Sequence, residues 1–326
     1  VKIAIVGAGI VGRLMAWHLC QYHQIHLFDS AKTQERETCS MAAGAMISPY
    51  TEISVLGKEW LDKALAALDW WPRILSSLPA SVYYQCSGTK VLANKEHQSL
   101  LEHFVMNIRH QLPHVRFEPI EPIDQQVGCI FSSEAHLNPR QVMKGIALYL
   151  HQYGVHWHEA RVEAINPYVI TVHNQEKSFD CVIDCRGIGA KQQVEALRGV
   201  RGEMILCEAP QIHLTHSIRY LHPIYSCYIV PQGNHQYMIG ATQMESESLQ
   251  SIYAKSVMQL LTGATLVDPR FKDAHIIGTN VGLRPATPLQ VPFVLDRPGL
   301  KSLNGFFRHG FLLAPAVVAE VAKQLH

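Results

Sequence analysis

The chain has 326 residues, 48% of them hydrophobic and 17% charged, and a formal net charge of +1. That length can bury two cores, and the scattered, nearly balanced charges give no reason to expect nucleic acid or an anionic membrane as partner. No stretch reaches the roughly 18 uninterrupted apolar residues of a membrane span, and the amino terminus reads as a strand of the fold instead of a signal peptide, so a cytoplasmic location is expected. The eight cysteines contain no C-x-x-C pair, and no H-x-x-x-H or H-E-x-x-H spacing falls on a helix, so neither a metal site nor a redox disulfide is expected.

Lys2-Ile3-Ala4-Ile5-Val6 is a short apolar run of the kind a doubly covered parallel strand needs, and Gly7-Ala8-Gly9-Ile10-Val11-Gly12 follows without a gap. Gly7 permits a tight turn, Gly9 lets backbone amides approach a pyrophosphate, and Gly12 lets the next helix pack near the sheet. The helix expected over 10–20 points its amino end at the phosphates. A second strand, 25–28, ends at Asp29. An acid there, about 20 residues past the glycines, accepts hydrogen bonds from ribose hydroxyls and disfavours a 2′-phosphate. A glycine turn used only for packing would leave Asp29 unexplained, so the stretch reads as a dinucleotide site.

Residues 39–49 are dominated by small side chains and closed by Pro49, which suits backbone lying against a flat ring and also suits a close helix-to-sheet contact. The spacing of Leu61, Leu65, Leu68 and Trp71 predicts a helix over 58–78, kinked or divided by Pro72, with Trp70 and Trp71 in the core. Segments 82–86 and 89–93 flank Ser87-Gly88 and read as a hairpin, followed by a helix over 96–110. Pro113, Pro119 and Pro122 punctuate a stretch without periodicity, and a domain crossing is expected there.

Asn138-Pro139 opens an amphipathic helix reaching Tyr153. Strands at 155–158, 161–165 and 169–172 read as a meander. The buried strand 181–184 runs into Cys185-Arg186-Gly187-Ile188-Gly189-Ala190, a second approach of backbone to the same dinucleotide. From Glu203 the pattern alternates, at 204–207, 228–230 and 236–239, which predicts an antiparallel sheet and hence a different layer. A helix over 246–262, a strand around 293–295 and a closing helix to about Leu325 complete the chain. Arg284 stands between Gly-Leu and Pro in apolar surroundings. A buried arginine needs a partner, either an acid of the protein or a ligand's carboxylate.

In order along the chain, the amino-terminal G-A-G-I-V-G, segment 39–49, His136-Leu137-Asn138-Pro139-Arg140, Gly199-Val200-Arg201-Gly202-Glu203, Tyr228-Ile229-Val230-Pro231, Gly240-Ala241-Thr242, Gly282-Leu283-Arg284-Pro285-Ala286-Thr287-Pro288 and Phe307-Arg308-His309-Gly310-x-Leu312-Leu313-Ala314-Pro315 resemble the FAD-dependent glycine oxidases. These belong to the D-amino-acid oxidase family and include the enzyme supplying dehydroglycine for the thiazole of thiamine. The resemblance implies an α/β fold with a Rossmann-type FAD-binding domain over 1–82, 136–198 and 276–326. The substrate domain, over 83–135 and 199–275, would be built on an antiparallel sheet.

The resemblance also assigns roles. Gly7, Gly9, Ile10, Val11 and Gly12 would hold the pyrophosphate of FAD and Asp29 the adenosine ribose. Thr38, Cys39, Ala43, Gly44, Ala45 and Met46 would line the flavin. Val162 would meet adenine through its backbone, and Gly187 would close over the dinucleotide. Arg308, His309, Gly310, Phe311 and Leu312 would run along the isoalloxazine. Arg284 would clamp the carboxylate of an amino-acid substrate, with Tyr228 adding a hydroxyl. The implied reaction is hydride transfer from Cα to flavin N5, leaving an imine, with molecular oxygen as acceptor and peroxide as product. Gln243, Leu289-Gln290 and Val317-Val318 depart from the family's pattern. Competing readings are a general D-amino-acid oxidase, a dehydrogenase of the same fold, a tRNA-modifying enzyme, which the missing basic patch disfavours, and a non-catalytic flavin-binding scaffold. A homo-oligomer is left open.

Overall fold

The computed structural model describes residues 1–30, 38–123 and 125–325. Strand Lys2–Val6 lies inside a six-stranded sheet whose order is Phe293–Arg297, Leu300–Asn304, Cys181–Asp184, Lys2–Val6, Gln24–Asp29 and His156–Glu159. All pairs are parallel except the first, a hairpin. From the inner strand the chain moves to Gln24–Asp29 on one side and later to Cys181–Asp184 on the other. The carboxyl ends therefore part at a topological switch point, where such sheets take ligands.

The strand residues divide by face as a pleat requires. Ile3 and Ile5 join the core formed with helices Ile10–Leu19, Leu61–Ser77, Pro139–Gln152 and Gly310–Ala322, whereas Ala4 and Val6 pack with Val162, Ile170 and Val172 on the opposite side. Helix Leu61–Ser77 is undivided at Pro72: the fully buried Trp71 donates its Nε1 hydrogen to Phe311 O at 2.8 Å, and this anchoring outweighs the missing backbone bond.

The second large sheet has eight strands, in the order His275–Ala286, Arg198–Glu208, Gln236–Gly240, Cys227–Gly233, Ser217–Leu221, Thr89–Asn94, Gln126–Phe131 and Glu118–Ile123. It is antiparallel except where Ser217–Leu221 pairs with Thr89–Asn94. Helix Ala254–Val267 covers a core that includes Ile205, Ile229, Ile239 and Leu260.

Four local expectations are corrected. Tyr84–Gln85 and Thr89–Asn94 are not a hairpin, because Gly88 N donates to Glu134 O at 2.8 Å and the chain changes sheets there. Tyr84–Gln85 instead pairs with Ala135–Leu137, which also pairs with Met46–Ile47. The proline-rich stretch is no crossing: Glu118–Ile123 is an edge strand, the position where proline is tolerated. His156–Glu159 extends the parallel sheet, and the meander is made by Val162–Asn166, Val169–Val172 and Gln175–Ser178. Finally, the helix expected from residue 246 begins only at Ala254, because a buried ion pair captures the segment before it.

Candidate active site

The glycine turn is built as its sequence implies. Gly7 has φ +99, and a Cβ there would lie 2.5 Å from Cys185 O; a Cβ at Gly12 would lie 1.8 Å from Gly7 O. The first position needs a left-handed backbone and the second a direct helix-on-strand contact. At Gly9 a Cβ would meet only Ser40 Oγ, at 3.5 Å, so the face in front of the helix start is left for a ligand. Ala8 N donates to Asp29 Oδ2 at 2.6 Å, which orients the acid from the turn itself. Ala160 N donates to Asp29 O at 2.9 Å and brings Val162 to the same end of the sheet. Across the switch point Gly187, at φ +57, has its carbonyl fixed by Asn304 Nδ2 at 2.8 Å. Glycines where a side chain would fill the cradle, a helix start lined with amides and an acid ending the second strand together fit an extended dinucleotide.

The residues expected beside the flavin lie at the inner end. A Cβ on Gly310 would be 3.4 Å from Ile10 Cγ2, so the two helix starts abut. Val11, Phe311 and Leu312 send their side chains into the core and offer the cleft only backbone. Thr38 O accepts from Met41 N and Ala42 N, turning the chain that carries Cys39, and Ala45 takes φ +54 before strand Met46–Ile47. Gly44 packs on the second sheet: a Cβ there would sit 3.3 Å from both Met204 and Val230 side chains.

Arg308 and His309 do not simply run along this wall. Both turn to Glu52, a residue that the sequence reading did not select. Its Oε1 accepts from Tyr228 Oη at 3.0 Å and Arg219 Nη1 at 3.4 Å, while Oε2 accepts from Arg308 and lies 3.0 Å from His309 Nε2. Burial alone would raise the Glu52 carboxyl, but Arg308, His309 and Arg219 hold it well below the usual range. Burial, and then the Glu52 charge, raise Tyr228. His309 is lowered by burial, with Arg308 and Arg284 adding to the effect and Glu52 opposing it. Tyr228 spends its one proton on Glu52, and in this arrangement that proton is not offered to a substrate carboxylate.

Glu52 is held from behind by a second buried acid. Glu134, fully buried, accepts Tyr50 N at 2.9 Å, Thr51 N at 2.8 Å and Thr51 Oγ1 at 3.1 Å. Burial raises it to about 7, against hydrogen bonds from Thr89, Thr51 and Ser48.

Arg284 lies on strand His275–Ala286, and its guanidinium occupies the space above Gly202, where a Cβ would be 2.2 Å from Nη2. Nη1 donates to Thr242 O at 3.0 Å. Burial lowers its pKa, with Cys39 and Tyr228 opposing and Arg308 adding to the effect. Among the described residues no carboxylate pairs with it. Of the two partners open to it in the sequence, the described residues thus contain no acid of the protein's own. Gln243, next to Thr242, is exposed. The signal that could have found Glu52 is its isolation: it is the sole charged residue between Thr38 and Gly57.

A switch-point cleft with a glycine cradle, faced by a second sheet that brings a guanidinium to its inner end, defines a dinucleotide-dependent enzyme. Residues 2–324 match the family model described as DAO, FAD dependent oxidoreductase, and the chain belongs to that family. It is 33% identical, over 330 residues, to the putative thiamine biosynthesis oxidoreductase ThiO of Rhizobium etli, covering 99% of this chain and 96% of the relative. Its fold is similar to those of glycine oxidase from Geobacillus kaustophilus, TM-score 0.86 at 20% identity, and iminodiacetate oxidase from a Chelativorans species, TM-score 0.83 at 18% identity. Each match covers 99% of this chain and 95% of the other. The expected α/β architecture and FAD dependence therefore hold. Among the described residues no helix is long and apolar enough to cross a membrane.

Proposed function

We propose that the protein oxidises glycine or another small α-amino acid at Cα, with Arg284 binding the substrate carboxylate. The observation that carries this reading is the guanidinium of Arg284, desolvated and without a carboxylate among the described residues, one strand-end away from the Arg308–His309 turn. A guanidinium fork fixes the plane of a carboxylate and so orients Cα.

Gly7, Gly9, Gly12, Asp29 and Gly187 would hold FAD, with the amides that open helix Gly310–Ala322 at the flavin end. FAD, when bound, supplies the two-electron acceptor for the Cα hydrogen. The remaining tasks fall to side chains. Glu52 is engaged by four donors and serves as a structural anion, so it is not the base for the substrate amine, which must reach the site already neutral. Met46, Tyr228 and Ala241, packed on Met204, Val230 and Met238, supply an apolar wall that favours small Cα substituents and excludes water.

Similarity to a thiamine biosynthesis oxidoreductase supports a place in making thiamine; a thiazole precursor as the destination, oxygen as acceptor and peroxide as product complete our proposal. The eight free cysteines support a reducing, cytoplasmic setting. We divide the chain into an FAD-binding domain over 1–82, 136–198 and 276–326 and a substrate domain over 83–135 and 199–275. The sheet memberships support this division with two exceptions: His275–Ala286, which pairs within the eight-stranded sheet, and Tyr84–Gln85, which shares a small sheet with Met46–Ile47.

The test begins with the visible spectrum. The purified protein should be yellow and release FAD on acid precipitation, and anaerobic glycine or N-methylglycine should bleach it faster than D-valine or D-phenylalanine. Faster bleaching by the bulky D-amino acids would reassign the protein as a general D-amino-acid oxidase, and a colourless protein that FAD does not stabilise would reject the reading outright.

A further inference from the structure

The segment Gly199-Val200-Arg201-Gly202-Glu203 has no task in the reaction described so far, yet it contains a fully buried ion pair. Arg201 and Glu203 are both 0% exposed. Arg201 Nε donates to Glu203 Oε1 at 3.0 Å, and Nη2 donates to the same oxygen. Two further guanidinium hydrogens go to Ser248 O at 2.6 Å and Ser251 O at 2.9 Å, and Glu203 Oε1 also accepts Tyr253 N at 3.2 Å. A buried pair with every guanidinium nitrogen engaged is a poor way to gain stability, because desolvation offsets most of the attraction, but it is an effective way to fix one conformation.

What it fixes is the chain beside Arg284. Arg201 and Met244 exchange backbone hydrogen bonds, at 2.9 and 3.0 Å. Glu203 grips Thr242 at three points: Glu203 N donates to Thr242 Oγ1 at 3.0 Å, Thr242 N to Glu203 O at 3.2 Å, and Thr242 Oγ1 to Glu203 Oε2 at 3.5 Å. The carbonyl of Thr242, thus immobilised, is the acceptor for Arg284 Nη1, and Gly202, between the two members of the pair, is the floor on which the guanidinium lies.

We propose that Arg201 and Glu203 are positioning residues for carboxylate recognition, acting through Thr242, whose carbonyl sets the orientation of the Arg284 guanidinium. This rests on the reading of Arg284 as the carboxylate partner. With Nη1 committed to Thr242 O, rotation of the guanidinium is stopped, and its remaining edge is presented in one plane. Looser seating of Thr242 would leave the charge in place but lose the plane, so carboxylate binding should weaken while the flavin and the fold remain.

The test uses the FAD-loaded protein and acetate, a carboxylate that cannot be oxidised at Cα by amine loss. Binding is read as the perturbation of the visible flavin spectrum, with flavin content and thermal midpoint as controls. Thr242→Val removes the hydroxyl that Glu203 N grips and should raise the Kd for acetate about 10-fold, with KM for glycine rising in parallel and kcat changing less. Thr242→Ser should restore the wild-type Kd. Glu203→Gln should behave as Thr242→Val; if it does not fold, Thr242→Val alone decides. Wild-type acetate affinity in Thr242→Val, with affinity lost in Arg284→Ala, overturns the proposal and leaves the clamp reading intact. Wild-type affinity in Arg284→Ala overturns both.

Discussion

Gly202 offers a way to move Arg284 without touching it. A methyl group there would stand 2.2 Å from Nη2, 2.3 Å from Cζ and 2.4 Å from Nη1, and ordinary contact begins at 3.4 Å, so the guanidinium must retreat by more than an ångström. The backbone raises no objection, since Gly202 is not among the positive-φ residues. The three nearest atoms all belong to the tip of one flexible side chain. Gly202→Ala should therefore fold normally, and it gains the about 0.4–1 kcal/mol that loss of glycine entropy brings. Displacement by that distance breaks a charge-assisted contact with substrate, worth about 2–5 kcal/mol, so kcat/KM for glycine should fall about 30-fold or more. The assay is steady-state oxidation with flavin content measured in parallel. Because both changes act on one contact, Gly202→Ala combined with Arg284→Ala should be no worse than Arg284→Ala, within about 2-fold. Wild-type kcat/KM in Gly202→Ala at full flavin occupancy would refute the placement of the carboxylate at Arg284.

Three other outcomes are expected. Gly12→Ala sets a methyl 1.8 Å from Gly7 O, which is backbone and cannot yield, so the variant should lose FAD and be recovered poorly in soluble form; a yellow, stable Gly12→Ala protein would contradict the helix-on-strand contact. Glu52→Gln leaves Arg308 and Arg219 without their anion and should destabilise by about 3–5 kcal/mol, seen in thermal or urea unfolding, whereas an unchanged midpoint would mean that the Glu52 pairs contribute nothing. Burial pushes Glu134 up to about 7 from the ordinary 4.5 of a glutamate, so its ionisation costs the folded state nothing well below pH 4.5 and most above pH 7. The thermal midpoint of Glu134→Gln relative to wild type should then rise between pH 5.5 and pH 8, and a constant difference would show that Glu134 is ionised throughout.

The first thirty residues were legible because each local feature there has one cause. The positive φ at Gly7, the contact at Gly12 and the acid at Asp29 are each dictated by residue type and spacing, and the structure places them as the motif requires. The hub around Glu52 was not legible. Its four donors come from positions 219, 228, 308 and 309, and nothing in the neighbourhood of residue 52 announces them. The misread hairpin at Ser87-Gly88 and the misread helix before Ala254 have a common origin. In each, a local pattern was overruled by a distant partner: Glu134 O for Gly88, and the Arg201–Glu203 pair for 246–253. Arg284 stood between these cases, since its apolar setting showed that it needed a partner but not which one.

Strand His275–Ala286 pairs with Arg198–Glu208 from Glu208↔His275 to Arg198↔Ala286, and at its far end Pro285 O accepts Phe307 N at 2.9 Å while Ala286 bridges Phe306. Arg284 and the anchor of the Arg308–His309 turn are thus neighbours on one strand. The strand is in effect a ruler laid between two subsites. The register shifts once, at Ile277, far from Arg284; slipping the strand by one residue between Gly278 and Ala286 would turn Arg284 to the opposite face, so insertions and deletions there cannot be absorbed. Natural drift or laboratory evolution can reshape the pocket walls through 240–253 or 39–49, but the separation between Arg284 and the Arg308–His309 turn, which we propose as carboxylate anchor and ring-binding turn, is inherited as a unit. Chimaeras of related oxidases should accordingly tolerate exchange on either side of this strand and fail when the junction falls inside it.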